Sequence, residues 1–157
     1  MATHRGRSPL SDAMKKDARA VATRLTSVMK KIGNIVVKET VANFKRQGFM
    51  DRSLKPWKKR KNDTKKDEGR AILTGKANNG GTRLRRSIKT LSVSAKRVRV
   101  GAKGSPAVYA GVHNYGLKAG RGKGFKMPKR QFLGQSHTTD KKIVNLLKKE
   151  VAKGFNN

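Results

Sequence analysis

The apolar positions near the start of the chain follow one another in alternating steps of four and three residues. They are Met14, Ala18, Val21, Leu25, Val28, Ile32 and Ile35. This spacing puts them on one stripe of an α-helix. Ser11 or Asp12 supplies an N-cap, and Gly48 is a residue suited to end a helix. The pattern predicts a helix over residues 12–47, with Gly33-Asn34 as a point where it either bends or breaks into a hairpin.

A continuous helix of this length is too long for one small domain to cover. At ~1.5 Å per residue it spans about 54 Å, whereas a compact chain of this length has a radius of gyration of about 15 Å. The uncovered part of the apolar stripe then needs a neighbouring subunit. We therefore predict a subunit interface along the helix at Met14, Val21, Leu25, Val28 and Ile32.

The segment after this helix has no periodicity of either 2 or 3.6 residues. We predict a loop-like arm at about 49–86, rich in Lys and anchored by Trp57. Trp57 is assigned to the subunit interface, so Trp57→Ala is expected to leave the fold largely intact. We further expect residues 1–10 to form a basic N-terminal arm and residues 11–157 to form a single α+β domain.

Alternation of apolar and polar residues predicts a β-hairpin in the second half of the chain. One strand begins at Ile88, the other carries Val98 and Val100, and Ser94-Ala95-Lys96 connects them. The apolar segment 107–115 fits either a strand or one or two helical turns. A short extended segment ending at Phe132 and Leu133 precedes a helix over residues 140–153. Phe132 and Leu133 are added to the predicted subunit interface. The predicted fold class is α+β, with a long N-terminal helix, a small antiparallel sheet, an extended basic arm and a C-terminal helix.

Charge changes this picture more than any other property. The chain has 40 Lys and Arg against 9 Asp and Glu, a formal net charge of +31 on 157 residues. Sixteen basic and no acidic residues lie between Glu68 and Asp140. Such density destabilises a compact monomer, so a negative partner is expected: nucleic acid, an acidic protein or an anionic membrane surface. The residues predicted to contact DNA phosphates, or an acidic partner, are Lys58, Lys59, Arg60, Lys61, Arg121, Lys123 and Lys126.

Candidate chemistry is sparse. The chain has no Cys, and its three His lack the spacing of metal ligands. The stretch Gly120–Gly124 superficially resembles a phosphate-binding loop, but it lacks the required GK[ST] ending. We expect no enzyme activity, no cofactor and no metal. No run approaches the ~18 apolar residues of a membrane span, so no membrane partner is expected.

Several short sequence pieces in a fixed order resemble a known family. They are Pro56-Trp57, Thr64 in a Lys-rich segment, Ile72-Leu73-Thr74-Gly75, Leu84-Arg85-Arg86-Ser87-Ile88, Val98-Arg99-Val100-Gly101, Tyr109-Ala110-Gly111-Val112-His113-Asn114-Tyr115-Gly116 and Pro128-Lys129-Arg130-Gln131-Phe132-Leu133-Gly134. Over about residues 44–155 the chain resembles tail-completion proteins of tailed bacteriophages, the phage virion morphogenesis proteins related to the Mu-type family. It departs from their pattern in two places: residues 76–83 form an insertion, and Gln131 stands where the family usually has Pro.

The resemblance implies a small α+β subunit of the virion neck, assembled in the host cytoplasm. It implies a sixfold ring of identical subunits between the head connector or stopper and the tail terminator or tube proteins, with genomic DNA in the lumen. The alternative is a nucleic-acid-binding protein of ribosomal or chromatin-like type without sequence specificity, which fits the charge equally well but the helix stripe less well. A membrane-active cationic protein fits poorly because the stripe is narrow.

Overall fold

A computed structural model describes residues 9–60, 71–73 and 83–155 and confirms the α+β class. Within these residues three antiparallel two-stranded sheets accompany two long and two short helices. The elements are α1 (Pro9–Arg46), β1 (Gly48–Met50), β2 (Leu54–Pro56), α2 (Leu84–Ser87), β3 (Ile88–Val93), β4 (Val98–Ala102), α3 (Ala107–Tyr115), β5 (Lys118–Ala119), β6 (Phe125–Lys126) and α4 (His137–Phe155). The predicted arm at residues 1–10 lies almost wholly outside the described residues.

Helix α1 is continuous over 38 residues, about 57 Å at 1.5 Å per residue. The alternative in which Gly33-Asn34 breaks it into a hairpin is therefore wrong. Gly33 is instead the point where α1 approaches the β3–β4 hairpin. A Cβ built on Gly33 would lie 2.9 Å from Thr90 Oγ1 and 3.0 Å from Val98 Cγ2. The glycine is explained by this close approach and not by a turn.

The end of α1 differs by one residue from the prediction. The helix stops at Arg46, and Gln47, not Gly48, adopts the left-handed conformation with φ 54°. The side-chain amide of Gln47 donates to Phe44 O at 2.6 Å and to Ile72 O at 3.2 Å, and its Oε1 accepts from Ile72 N. These bonds offset the cost of positive φ in a residue other than Gly.

The first described part of the predicted arm is a short hairpin. Strand β1 pairs antiparallel with β2, with Gly48 opposite Pro56 and Met50 opposite Leu54. Trp57 continues the ladder, because its backbone N donates to Gln47 O at 2.8 Å. Gly48 allows the strands to meet closely, since a Cβ there would lie 2.7 Å from Lys55 O.

The predicted hairpin of the second half is confirmed as β3–β4. Ile88 lies opposite Ala102 and Val93 opposite Val98, with a bulge between Thr90 and Ser92. The hairpin packs on the middle of α1. The segment left open between strand and helix is helix α3, which ends at Gly116 in the left-handed conformation with φ 72°. The predicted C-terminal helix is confirmed as α4.

The core forms where these elements meet. Phe44, Trp57, Leu84, Ile88 and Phe132 are its buried members. The ring of Phe44 meets Trp57 edge-on with centroids 5.5 Å apart, and lies 4.9 Å from the ring of Phe132. The core therefore sits at the C-terminal end of α1, and the N-terminal half of α1 extends away from it.

Candidate subunit interface and basic hairpin

The N-terminal half of α1 exposes its apolar stripe. The exposed fraction falls from 65% at Met14 to 46% at Leu25 and 9% at Val28. Beside this stripe lies α4, whose own apolar residues Leu147 and Val151 are also exposed. The apolar residues of α1 and α4 line an open cavity of about 420 Å³. We call this surface the seam groove and define it by Val21, Leu25, Val28, Leu147 and Val151.

Two carboxylates fix α4 against α1. Glu150 accepts from Lys31 Nζ at 2.8 Å, and Glu39 binds Lys142 of α4. Lys31 comes before Glu39 on α1, whereas its partner Glu150 comes after Lys142 on α4. The two helices therefore run antiparallel. The hydrogen bond from Lys31 holds the pKa of Glu150 below its usual value, and Lys153 and Arg24 act in the same direction. These pairs join α4 to α1 along the seam groove.

The N-terminus of α4 is capped by its own chain and by the β1–β2 hairpin. Ser136 Oγ accepts from Thr139 N at 3.3 Å and donates to Met50 O at 2.7 Å. Asp51 Oδ1 accepts from His137 N at 3.0 Å. This bond to a backbone N–H, followed by that from Lys55, lowers the pKa of Asp51. The negative charge of Asp51 therefore lies at the N-terminus of α4, where the helix dipole is positive, and stabilises the helix.

Two buried asparagines hold the extended segment before α4. Asn114 Oδ1 accepts from Phe132 N at 2.9 Å and Leu133 N at 3.0 Å, while its Nδ2 donates to Leu133 O at 3.0 Å. Asn43 Nδ2 donates to Phe132 O at 3.0 Å, and its Oδ1 accepts from Met50 N at 3.0 Å. Buried backbone groups without a strand partner are thus satisfied by side chains. Two of the ordered sequence pieces, around Asn114 and Phe132, are therefore in direct contact.

Arg130 and His113 lie beside this clamp. Arg130 N donates to His113 O at 2.8 Å, and Arg130 Nε donates to Lys58 O at 3.2 Å. Burial, followed by the nearby Arg130 charge, lowers the pKa of His113. Its Nδ1 is buried without a hydrogen-bond partner among the described residues, and its ring meets Tyr109 edge-on at 5.9 Å. These features suit a packed, neutral His.

The glycine-rich loop predicted to be basic is the turn of the β5–β6 hairpin. Gly120, Gly122 and Gly124 all have positive φ, which a side chain at these positions would oppose. Lys118 lies directly opposite Lys126, and like charges directly opposite each other destabilise a ladder. Arg121 and Lys123 extend the same exposed positive surface. An anion bound here would relieve that repulsion.

The residues predicted for a subunit interface divide into two groups. Met14, Val21 and Leu25 are exposed on α1, while Val28 and Ile32 are largely covered by their own domain. Trp57 and Phe132 lie inside the core, with 6% and 2% of their surface exposed, and Leu133 packs against it. Trp57 and Phe132 are therefore corrected to core positions that offer no free surface to a second subunit, and Leu133 is a partly buried residue at the edge of the core.

The residues predicted to face DNA or an acidic partner are also split. Lys58 and Lys59 are exposed beside β2, and Arg60 is half-buried with a bond to Ala71 O at 3.4 Å. Arg121, Lys123 and Lys126 are exposed together on the β5–β6 hairpin. Lys61 lies outside the described residues.

Sequence reasoning missed the polar residues that organise the site. Asn43, Gln47 and Asn114 show no spacing that distinguishes them from surface amides. It also missed Leu147 and Val151 as part of the exposed apolar surface, although their helical spacing was visible. Among the described residues, no group of three or more His, Asp or Glu is placed to hold a metal ion. A search of those same residues finds no helix apolar and long enough to cross a membrane.

Comparison with known proteins places the chain in a family. No curated protein and no solved structure matches it. The sequence model of the phage virion morphogenesis family matches residues 7–152. This match runs from the start of α1 to the last turns of α4. It therefore includes both helices of the seam groove and the positively charged β5–β6 hairpin. The chain therefore belongs to the phage virion morphogenesis family, which indicates a structural or morphogenetic role in a phage virion.

Proposed function

We propose that the chain is a tail-completion subunit of the phage neck that forms a ring joining the head connector or stopper to the tail terminator or tube. The observation that carries this proposal is the seam groove. Val21 and Leu25 are exposed on a helix that extends beyond the core, next to the exposed Leu147 and Val151. A contiguous apolar surface of this kind favours a protein partner.

The positive charge supports a position around the DNA path. A subunit with net charge +31 repels its own copies over a Debye length of about 8 Å at physiological salt. Phosphates in a ring lumen would offset this repulsion, and phosphate contacts need no base reading. The proposal includes no catalytic step, because the described side chains that hydrogen bond at the site satisfy backbone groups and form ion pairs.

The test is incorporation into particles of a variant with one charge placed in the seam groove. Leu25→Asp puts an unpaired carboxylate among apolar residues, whereas the core lies far along α1. Ser27→Asp is the matched control, since it adds the same charge on the opposite face of the same helix, at an exposed position. Ile32 is a poorer site for the test because its own domain largely covers it.

We expect particles supplied only with Leu25→Asp to lack the subunit and to carry unjoined heads and tails. Ser27→Asp is expected to support joined, infectious particles. Normal particle assembly with Leu25→Asp, at wild-type protein levels, would overturn the proposal.

A further inference from the structure

A second exposed apolar surface lies on the β5–β6 hairpin. Ala119 pairs with Phe125 and Lys118 with Lys126, and Met127 N donates to Leu117 O at 3.1 Å. Since side chains alternate between the faces of a strand, Leu117 and Phe125 share one face and the two Lys share the other. Leu117 and Phe125 are 51% and 59% exposed.

Tyr115, also exposed, directly precedes this hairpin at the end of α3. We call Tyr115, Leu117 and Phe125 the ribbon patch. The chain thus carries two different apolar surfaces, the seam groove formed by helices and the ribbon patch formed largely by strands. They belong to separate elements, because α1 and α4 form one and the α3–β6 region forms the other.

A contact between two identical surfaces, groove to groove, would not bury both kinds of apolar surface. Two seam grooves in a twofold dimer would bring Arg24, which lines the groove, towards Arg24 of the other copy, and would leave both ribbon patches in water. A head-to-tail contact covers one groove and one ribbon patch at every junction. Head-to-tail contacts repeat, and they form a closed ring when the rotation closes.

Charge also favours the ribbon patch as the occupant of the groove. Asp17 lies one helical turn before Val21 on α1, beside the apolar stripe, and it is exposed. The turn of the β5–β6 hairpin carries Arg121 and Lys123 at its tip. If Phe125 enters the groove, the basic tip lies within reach of this carboxylate, in a chain where carboxylates are scarce.

We propose that the subunit associates head to tail, with the ribbon patch of one copy seated in the seam groove of the next. This rests on the ring proposed above and assigns its two contacting surfaces. Phe125 is the aromatic group that fills the groove between Leu25 and Val151, and Asp17 receives the basic tip.

The absence of Cys from the chain makes a cross-linking test direct. Leu25→Cys and Phe125→Cys are combined in one chain, and the purified protein is oxidised at about 1 M salt, where the Debye length is about 3 Å. The expected product is a ladder of dimers, trimers and larger species that ends at one closed size. The matched control combines Phe125→Cys with Ser27→Cys on the opposite face of α1, and we expect loss of the ladder.

A single-cysteine variant separates the possible outcomes. Leu25→Cys alone is expected to stay monomeric on oxidation; efficient dimers from it would mean that groove meets groove, which overturns the head-to-tail pairing. No ladder from the double variant would overturn it as well. Either failure leaves the neck function open to its own test, because Leu25→Asp would still block particle joining if another protein fills the groove.

Discussion

The indole Nε1 of Trp57 donates a 2.6 Å hydrogen bond to the backbone carbonyl of Gln131. This bond joins the end of the β1–β2 hairpin to the extended segment before α4, although the two residues are 74 positions apart in sequence. The same ring packs edge-on against Phe44. Trp57 is therefore a member of the core that joins three parts of the chain.

Replacing Trp57 tests this role through stability. Trp57→Ala is expected to lower the free energy of unfolding by about 3–5 kcal/mol, because it leaves a cavity beside Phe44 and an unpaired carbonyl. This corrects the expectation from sequence that the variant keeps its fold. Trp57→Phe keeps an aromatic ring but loses the hydrogen bond and is expected to cost less. Urea unfolding followed by circular dichroism measures both, with the exposed Leu54→Ala as a control near zero.

Gly33 and Gly111 form a matched pair of helical glycines. A Cβ at Gly33 would press on Thr90 and Val98, whereas one at Gly111 meets nothing within 4 Å among the described residues. Gly111→Ala is expected to stabilise the protein by up to about 1 kcal/mol through helix propensity. Gly33→Ala is expected to destabilise it by about 1–3 kcal/mol, because overpacking outweighs the same gain. Thermal unfolding of the two variants decides the matter, and equal shifts in Tm would contradict the close packing of α1 on β3–β4.

His113 should make stability depend on pH. Burial lowers its pKa in the folded state below the ordinary value of 6.5, so the unfolded chain binds the proton more tightly. Above the pKa of the unfolded state His113 is neutral in both states and does not reduce the free energy of unfolding. As pH falls below about 6.5 the unfolded chain takes up the proton first, so the free energy of unfolding decreases. His113→Gln removes the titrating group, and its unfolding free energy is expected to fall less between pH 7.5 and pH 5.5. Urea unfolding at both values measures the difference, and parallel losses in the two proteins would show that His113 is not responsible.

The β5–β6 hairpin is expected to bind duplex DNA without sequence preference. Replacing Lys118, Arg121, Lys123 and Lys126 by Gln should reduce the slope of log K against log salt by about 0.9 for each lost phosphate contact. The control carries the same number of changes at the exposed Lys30, Lys38, Lys148 and Lys149 on the two long helices. Fluorescence anisotropy over a salt series distinguishes the two. Equal losses would mean that binding follows net charge alone, and no binding by the unmodified protein at low salt would favour an acidic protein partner.

The elements predicted correctly from the sequence are those whose periodicity is long or regular. The 4-3 stripe of α1 and the alternation around Val98 report local geometry directly, so these elements needed no tertiary information. The β1–β2 hairpin was missed because strands of three residues show no measurable period. Its position depends on distant partners, such as Asn43 for Met50 and Gln131 for Trp57.

The candidate site was predictable only in part for the same reason. An exposed stripe on a long helix follows from its length, and Leu25 was identified from that alone. The sequence does not show which apolar residues belong to the core and which to a free surface. Trp57 is surrounded by lysines in the sequence, and this context would be the same whether its ring were buried or exposed. Likewise, glycine's preference for the left-handed conformation predicted the end of the helix at Gly48. The residue that adopts this conformation is Gln47, which is held there by hydrogen bonds to the distant Ile72.

Helix α4 depends on few attachments for its second half. Leu147 and Val151 remain exposed, and Glu150 attaches this end to α1 through its ion pair with Lys31 and a backbone hydrogen bond from Arg24 at 3.4 Å. Segments with little buried surface open locally at a lower free energy than the core. Amide hydrogens in the last turns of α4 should therefore exchange earlier than those near Phe44. A partner seated between α1 and α4 would slow that exchange, so the protection of these amides would report directly on whether the groove is occupied.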